Sequence, residues 1–278
     1  MPGEAFLTSW STWAALAFSL GVLWLLWSTR TLRPGVLARG LRDLAPIEPA
    51  FWFIASIVGY AGLMLGSLPA MLLLGGTDPA STRGMAITGA ASFTVALAVS
   101  GFLAVMIRRA APAAGLTARP RTFALGLVCL PLCVPILYFC SGVFQLAYEL
   151  QTSTRVTDPI AHPALRTITS DGGDPWAWVM IAVAVVLAPI HEELVYRGFL
   201  QSGILRLSRR PWAAIVITAA LFALAHVSTG VPWYAVGTLF VFGVCLGFAF
   251  ERSRSIAVPI ALHMAFNAMN VVVAVLIT

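Results

Sequence analysis

Eight runs of about twenty apolar residues take up most of this chain, near 10–28, 50–75, 85–107, 123–147, 175–205, 212–229, 232–250 and 256–277. A hydrocarbon core ~30 Å thick takes about 20 residues of helix, which rises ~1.5 Å per residue. The runs are too long for barrel strands and do not alternate with period two. They predict an all-α fold, a polytopic membrane bundle of about eight transmembrane helices. Composition agrees: only 10% of the 278 residues are charged, against roughly 25% in a soluble domain. Little chain remains outside the spans, so no sizeable soluble domain is expected. Residues 1–122 hold helices 1–3 with their loops, and 123–278 hold helices 4–8.

The net charge of +6 comes from 17 basic residues, all of them Arg. A basic balance often points to nucleic acid. Here the Arg residues sit in short loops between apolar runs, where they set topology instead. The expected surroundings are therefore membrane lipids, with no nucleic acid. Arg30, Arg33, Arg39 and Arg42 follow helix 1, and Arg108, Arg109, Arg119 and Arg121 follow helix 3. Arg206, Arg209 and Arg210 follow helix 5, and Arg252 and Arg254 follow helix 7. The opposite side has Arg83, Arg155 and Arg166 beside Asp78, Asp158, Asp171 and Asp174. The alternation places both termini outside, in a membrane expected to be a prokaryotic plasma membrane. Trp10, Trp27, Trp52, Trp176, Trp178, Trp212 and Trp233 near run ends fit an interfacial belt. Glu4 precedes the first run and Arg30 follows it, the wrong polarity for a cleaved signal peptide. Cys129, Cys133, Cys140 and Cys245 lie inside apolar runs without a CxxC pair and read as small residues at helix interfaces.

Three helices carry ionisable or amide groups that are costly in a bilayer and so are expected to face a bundle interior or a water-filled cavity. The fifth run contains APIHEELVYRGFLQ, residues 188–201. Glu193 and Arg197 stand i,i+4 with the acid first, the favourable order for a helical ion pair. Glu192 is rotated ~100° from Glu193, so one acid can pair with Arg197 while the other points elsewhere. One carboxylate held ionised and one left free suits a general base. Pro189 cannot donate to the carbonyl of Val185 and weakens the helix just before the acids. The sixth run has Phe222 and His226 at i,i+4; the eighth has His263 and Asn267 at i,i+4, with Asn270 on the same face. Each taken alone has a plainer reading as interhelical glue or packing, favoured for Phe222 and Asn270. His191 either lines the cavity or faces another helix. Two acids, an Arg, two further His and an Asn on three helices exceed what packing requires.

Peptide hydrolysis needs an activated water and donors for the developing oxyanion. Glu192 can take the proton from water, His226 can orient that water, and His263 with Asn267 can face the oxyanion. A metal version uses the same groups: Glu192, His226 and His263 would give zinc three ligands and leave a position for water. Both versions stay open on the sequence. An HExxH zincin is excluded, because Val195 stands where the second His belongs. No GxSxG elbow is present either. The polar stretch 148–174 either covers a site or only connects two spans, and its His162 reads as a surface histidine.

Glu192-Glu193-x-x-x-Arg197, Phe222-x-x-x-His226 and His263-x-x-x-Asn267, in this order and within membrane helices, resemble the three motifs of the CPBP intramembrane proteases. That family includes type II CAAX prenyl endopeptidases and bacteriocin-processing or immunity proteins (Abi). The resemblance covers about residues 175–278. It implies an all-helical membrane fold and endopeptidase activity on a peptide or membrane-tethered protein, with CAAX-type C-terminal processing one form of it. Carried over by position, Glu192 looks like the catalytic acid/base and Glu193 with Arg197 like its supporting pair. His226 looks like the partner that holds the water or ligates a metal, and His263 and Asn267 look like oxyanion stabilisers. The family is called a metalloprotease, and a metal-free glutamate mechanism is also proposed for it, so zinc is implied only conditionally. His191 has no place in the pattern. A catalytically silent scaffold or immunity protein of the same fold is the alternative. A proton-coupled transporter would also use intramembrane Glu and His, but would show inverted repeats or paired broken helices, which the sequence lacks.

Overall fold

The computed structural model describes residues 9–33, 35–38, 41–156, 162–170 and 173–277. Glu4, Arg39, Asp158 and Asp171 of the charge pattern lie outside the described residues. Within them the chain is helical, without a strand. The helices are α1 (Trp10–Ser28), α2 (Pro49–Leu74), α3 (Thr82–Ala110), α4 (Pro120–Thr152), α5 (Pro163–Ser170), α6 (Pro175–Ser208), α7 (Pro211–Ala225), α8 (Trp233–Ser253) and α9 (Ala257–Ile277). All except the eight-residue α5 are long and apolar enough to cross a membrane, α7 together with a 3₁₀ turn over Val227–Thr229. These eight spans coincide with the eight apolar runs, and the chain is an integral membrane protein.

α3, α4 and α6 outrun their apolar runs by a few residues, because caps and prolines set where helices begin. Pro49, Pro120, Pro175 and Pro211 open α2, α4, α6 and α7, where a missing N–H costs nothing. Ser81 and Asp174 cap α3 and α6 by accepting from the N–H groups of Gly84 and Trp176. Tight crossings depend on missing side chains. A Cβ on Gly66 of α2 would overlap the backbone of Ser92 on α3, and one on Gly126 of α4 would overlap the carbonyl of Val258 on α9. Small residues at such crossings let helix backbones touch in the absence of a hydrophobic force between helices.

α6 is the most buried of the eight spans and packs against α2, α3, α7, α8 and α9. It is not a uniform α-helix. Two π-helical stretches, Val183–Leu187 and Leu194–Gln201, flank a short α-helical turn, Ala188–Glu193, that holds both acids. Wide turns of this kind are rare and gather at functional sites.

A second polar seam ties the loop after α1 to the core. Arg42 donates to both carboxylate oxygens of Glu251 on α8, at 3.0 and 2.7 Å, and to Ala114 O and Ser202 Oγ. Gln201 Nε2 donates to Glu251 and to Gly247 O. Both ions are buried, and the fork of Arg42 is filled by a bidentate carboxylate and two further acceptors, which is how a buried Arg is made tolerable.

Candidate active site

The adjacent acids of α6 diverge as their 100° offset requires. Glu193 is fully buried, and its Oε1 accepts from Arg197 Nη1 and from His263 Nδ1, both at 2.8 Å. Arg197 also donates to Gly243 O on α8 and lies 4.5 Å from the centre of the Phe222 ring. Glu192 is partly exposed, with 19% of its side chain accessible, and its Oε2 stands 3.9 Å from His263 Nε2. That is too long for a hydrogen bond, but a water bonded to both atoms fits the gap.

The two histidines have distinguishable ring nitrogens. His226 ends α7, and its Nδ1 lies 2.8 Å from Phe222 O. A carbonyl only accepts, so Nδ1 carries the proton and Nε2 keeps its lone pair in the neutral ring. His263 turns Nδ1 to Glu193, which leaves its Nε2 towards Glu192. Phe222 packs edge-on against both rings, with centroids 4.8 Å from His226 and 5.8 Å from His263. It is the fully buried spacer between them.

Asn267 has a specific partner, and the helix geometry of α6 explains it. Ala188 N–H bonds to Val183 O in the π-turn, so it is not available to Ala184 O as it would be in an α-helix. The π-type donor for Ala184 O would be residue 189, a proline without an N–H. Asn267 Nδ2 takes that orphaned carbonyl at 2.8 Å. One amide N–H of Asn267 is thereby used to hold α9 to α6, and the second remains.

Glu192, His226, His263 and Asn267 line one cavity of about 490 Å³, together with Asn270 and an apolar wall. Glu193 and Arg197 do not line it. Nor does His191, which is buried against α3 with Nδ1 3.3 Å from Ser100 Oγ and its ring edge-on to Phe93. Of its two sequence readings, His191 takes the one that faces another helix. Cys129, Cys133 and Cys245 sit in the packed layer between α4 and α8, as free thiols. Among the described residues no three His, Cys, Asp or Glu side chains are grouped so as to hold a metal ion. The Glu192, His226 and His263 donor set does not fit zinc as arranged, and no step below passes through a metal.

His162 departs from its sequence reading. It is not a surface histidine: it is half-buried and lines the cavity. Burial, and then the nearby His226 ring, push its pKa down to about 4. Its sequence neighbourhood is polar and outside any span, so nothing local marks it. Only the tertiary docking of α5 brings it in.

Residues 174–269, about a third of the chain, match the family described as type II CAAX prenyl endopeptidase Rce1-like. The chain is 27% identical over 132 residues to the uncharacterised protein YyaK of Bacillus subtilis (strain 168), covering 45% of this chain and 44% of that one. It is 27% identical over 130 residues to an uncharacterised 24.3 kDa protein of Escherichia coli, covering 46% of this chain and 56% of that one. A third relative, YbdI of Lactococcus lactis subsp. lactis (strain IL1403), is 28% identical over 100 residues, 36% of this chain and 51% of that one. The chain thus spans about half the length of the curated relatives it matches. No solved structure matches.

Proposed function

With residues 174–269 an Rce1-like region of the CPBP family, we propose that the chain is an intramembrane endopeptidase in which Glu192 activates a water without a metal. The observation that carries this reading is the division of labour in one cavity: Glu192 is open to it, while Glu193 is clamped between Arg197 and His263. A water has two protons to give. One goes to the Glu192 carboxylate and one hydrogen bond goes to the lone pair of His226 Nε2, which leaves an oxygen lone pair aimed at a carbonyl carbon. Attack forms the C–O bond and moves the carbonyl π pair onto oxygen. The second N–H of Asn267 can donate to that oxyanion, and so can His263 Nε2 when the ring, held at Nδ1 by Glu193, carries both protons. Glu192 then passes its proton to the leaving amine as the C–N bond breaks.

The substrate is a peptide or membrane-tethered protein that reaches the cavity. A CAAX-type tail is the first to try, given the description of the matched family. We also assign both termini to the outside of a prokaryotic plasma membrane, on the loop-Arg asymmetry; reporters fused to each end should read out there.

Purified protein in detergent or vesicles should cleave members of a quenched peptide library. Glu192→Gln should lose at least ~100-fold in kcat, within the range of a general base, and His226→Ala a comparable factor. Chelator should leave the rate unchanged. Cleavage that survives Glu192→Gln would sink the mechanism, and loss with chelator followed by rescue with zinc would replace it with a metal one. An inert wild type would favour the silent scaffold.

A further inference from the structure

The helix between the fourth and fifth spans is a wall of the cavity. His162, Ala164, Leu165 and Ile168 all line it. α5 is docked by Ile168, which is 2% exposed and packs with Ala86 of α3 and Met180 of α6. Pro163 lies beside Gly230, in the turn that follows His226. A short connector of eight helical residues could have stayed in solvent. Instead it spends its apolar side chains on closing the cavity next to His226.

The ring of His162 is oriented. Ala164 N–H donates to Nδ1 at 3.2 Å, so Nδ1 is unprotonated and the neutral ring carries its proton on Nε2. Among the described residues Nε2 has no hydrogen-bond partner. His226 has the opposite tautomer, Nδ1 donating and Nε2 accepting. The other titratable groups that line the cavity are Glu192, His263 and Tyr234. In His162 Nε2–H the cavity therefore holds a neutral N–H donor that has no partner among the described residues and that the water-activating chemistry does not use. A neutral N–H donor can take a backbone carbonyl, the acceptor that every peptide supplies.

Resting on the protease reading, we propose that His162 is a substrate-positioning residue whose Nε2–H takes up a backbone carbonyl of the peptide lying across Glu192 and His226. The bond forms in the Michaelis complex and persists in the transition state, so it contributes uniform binding, which shows in KM rather than kcat. With a peptide that the wild-type enzyme cleaves, His162→Ala should raise KM about five- to tenfold, the usual worth of one hydrogen bond, and leave kcat within about twofold. His162→Gln, which keeps an N–H donor on a side chain of similar reach, should recover most of that KM. A loss of cap or helix docking alone would not be repaired in this way. Unchanged KM in the Ala variant overturns the proposal, as does a fall in kcat at constant KM.

A second measurement does not use turnover. The protein has four His, so ¹⁵N-His spectra in micelles, assigned with single His variants, resolve each ring. His162 should remain the neutral Nε2–H tautomer at pH 5. A ring that titrates near 6.5, as an exposed His does, shows that α5 is not docked and overturns the proposal in an active enzyme. If the wild type cleaves nothing in the library, the protease reading falls and takes this one with it.

Discussion

Glu192 and Glu193 are neighbours in sequence with the same side chain, yet they should respond to the same substitution in opposite ways. Glu193 takes the guanidinium of Arg197 and the imidazole of His263, all buried. Glu193→Gln leaves Arg197 without its anion, and an uncompensated buried ion typically costs about 3–5 kcal/mol. Glu192 faces the cavity with no direct ion pair inside hydrogen-bond distance. The Glu193→Gln protein should therefore unfold well below the wild-type Tm in a thermal-shift assay, while Glu192→Gln stays within about a degree or two of it and loses turnover. Equal Tm losses would remove the distinction drawn between them. The sequence showed that the acids point apart and that Arg197 pairs with one. It did not show that His263 shares the same carboxylate oxygen, because that contact joins residues 70 positions apart. His162 was missed for a related reason: its significance lies in where α5 docks, and Ile168 and Leu165 look unremarkable in a polar stretch.

At the scale of the element, α6 shows how a proline can be useful inside a helix. Pro189 and the π-turn before it strip Ala184 O of both possible helical donors, and Asn267 repairs the loss from α9. Two i,i+4 residues of α9 thus meet α6 on successive features, His263 at Glu193 and Asn267 at Ala184. Asn267→Leu should cost about 1–3 kcal/mol by orphaning that carbonyl. In a Pro189→Ala background, residue 189 regains an N–H within α6 for the carbonyls upstream, so Asn267→Leu should cost clearly less there. A double-mutant cycle on unfolding free energy checks this, and additive costs would refute the coupling. Sequence reasoning identified that Pro189 weakens the helix ahead of the acids. It named the carbonyl of Val185, as α-helical spacing requires, whereas the π-turn moves the loss to Ala184, and a π-turn has no composition of its own.

Across the whole molecule, eight apolar runs became eight spanning helices because length and hydrophobicity alone decide that outcome in a bilayer. Their arrangement depends on sparse polar and small-residue contacts that the pattern does not reveal. Arg42, read from sequence as one topology-setting charge among several, is buried at 4% exposure with Glu251, Ser202 and Ala114. Arg42→Ala should destabilise the fold by about 3–5 kcal/mol through the stranded Glu251 carboxylate. Arg42→Ala with Glu251→Met should recover much of that loss. Chemical-denaturation midpoints of the three proteins would settle it, and a single variant as stable as wild type would show that the pair carries no weight.

The Arg42–Glu251 contact also has a clock in it. Its partners are separated by 209 residues, so Arg42 leaves the ribosome long before Glu251 exists, by roughly 10–40 s at ~5–20 residues per second. Over that interval the early helices are inserted without their anchor in the core. His226 and His263, which complete the cavity around Glu192, emerge in the same late window. Until nearly the whole of this sequence has been made, the newborn chain therefore lacks the residues that close the cavity around Glu192.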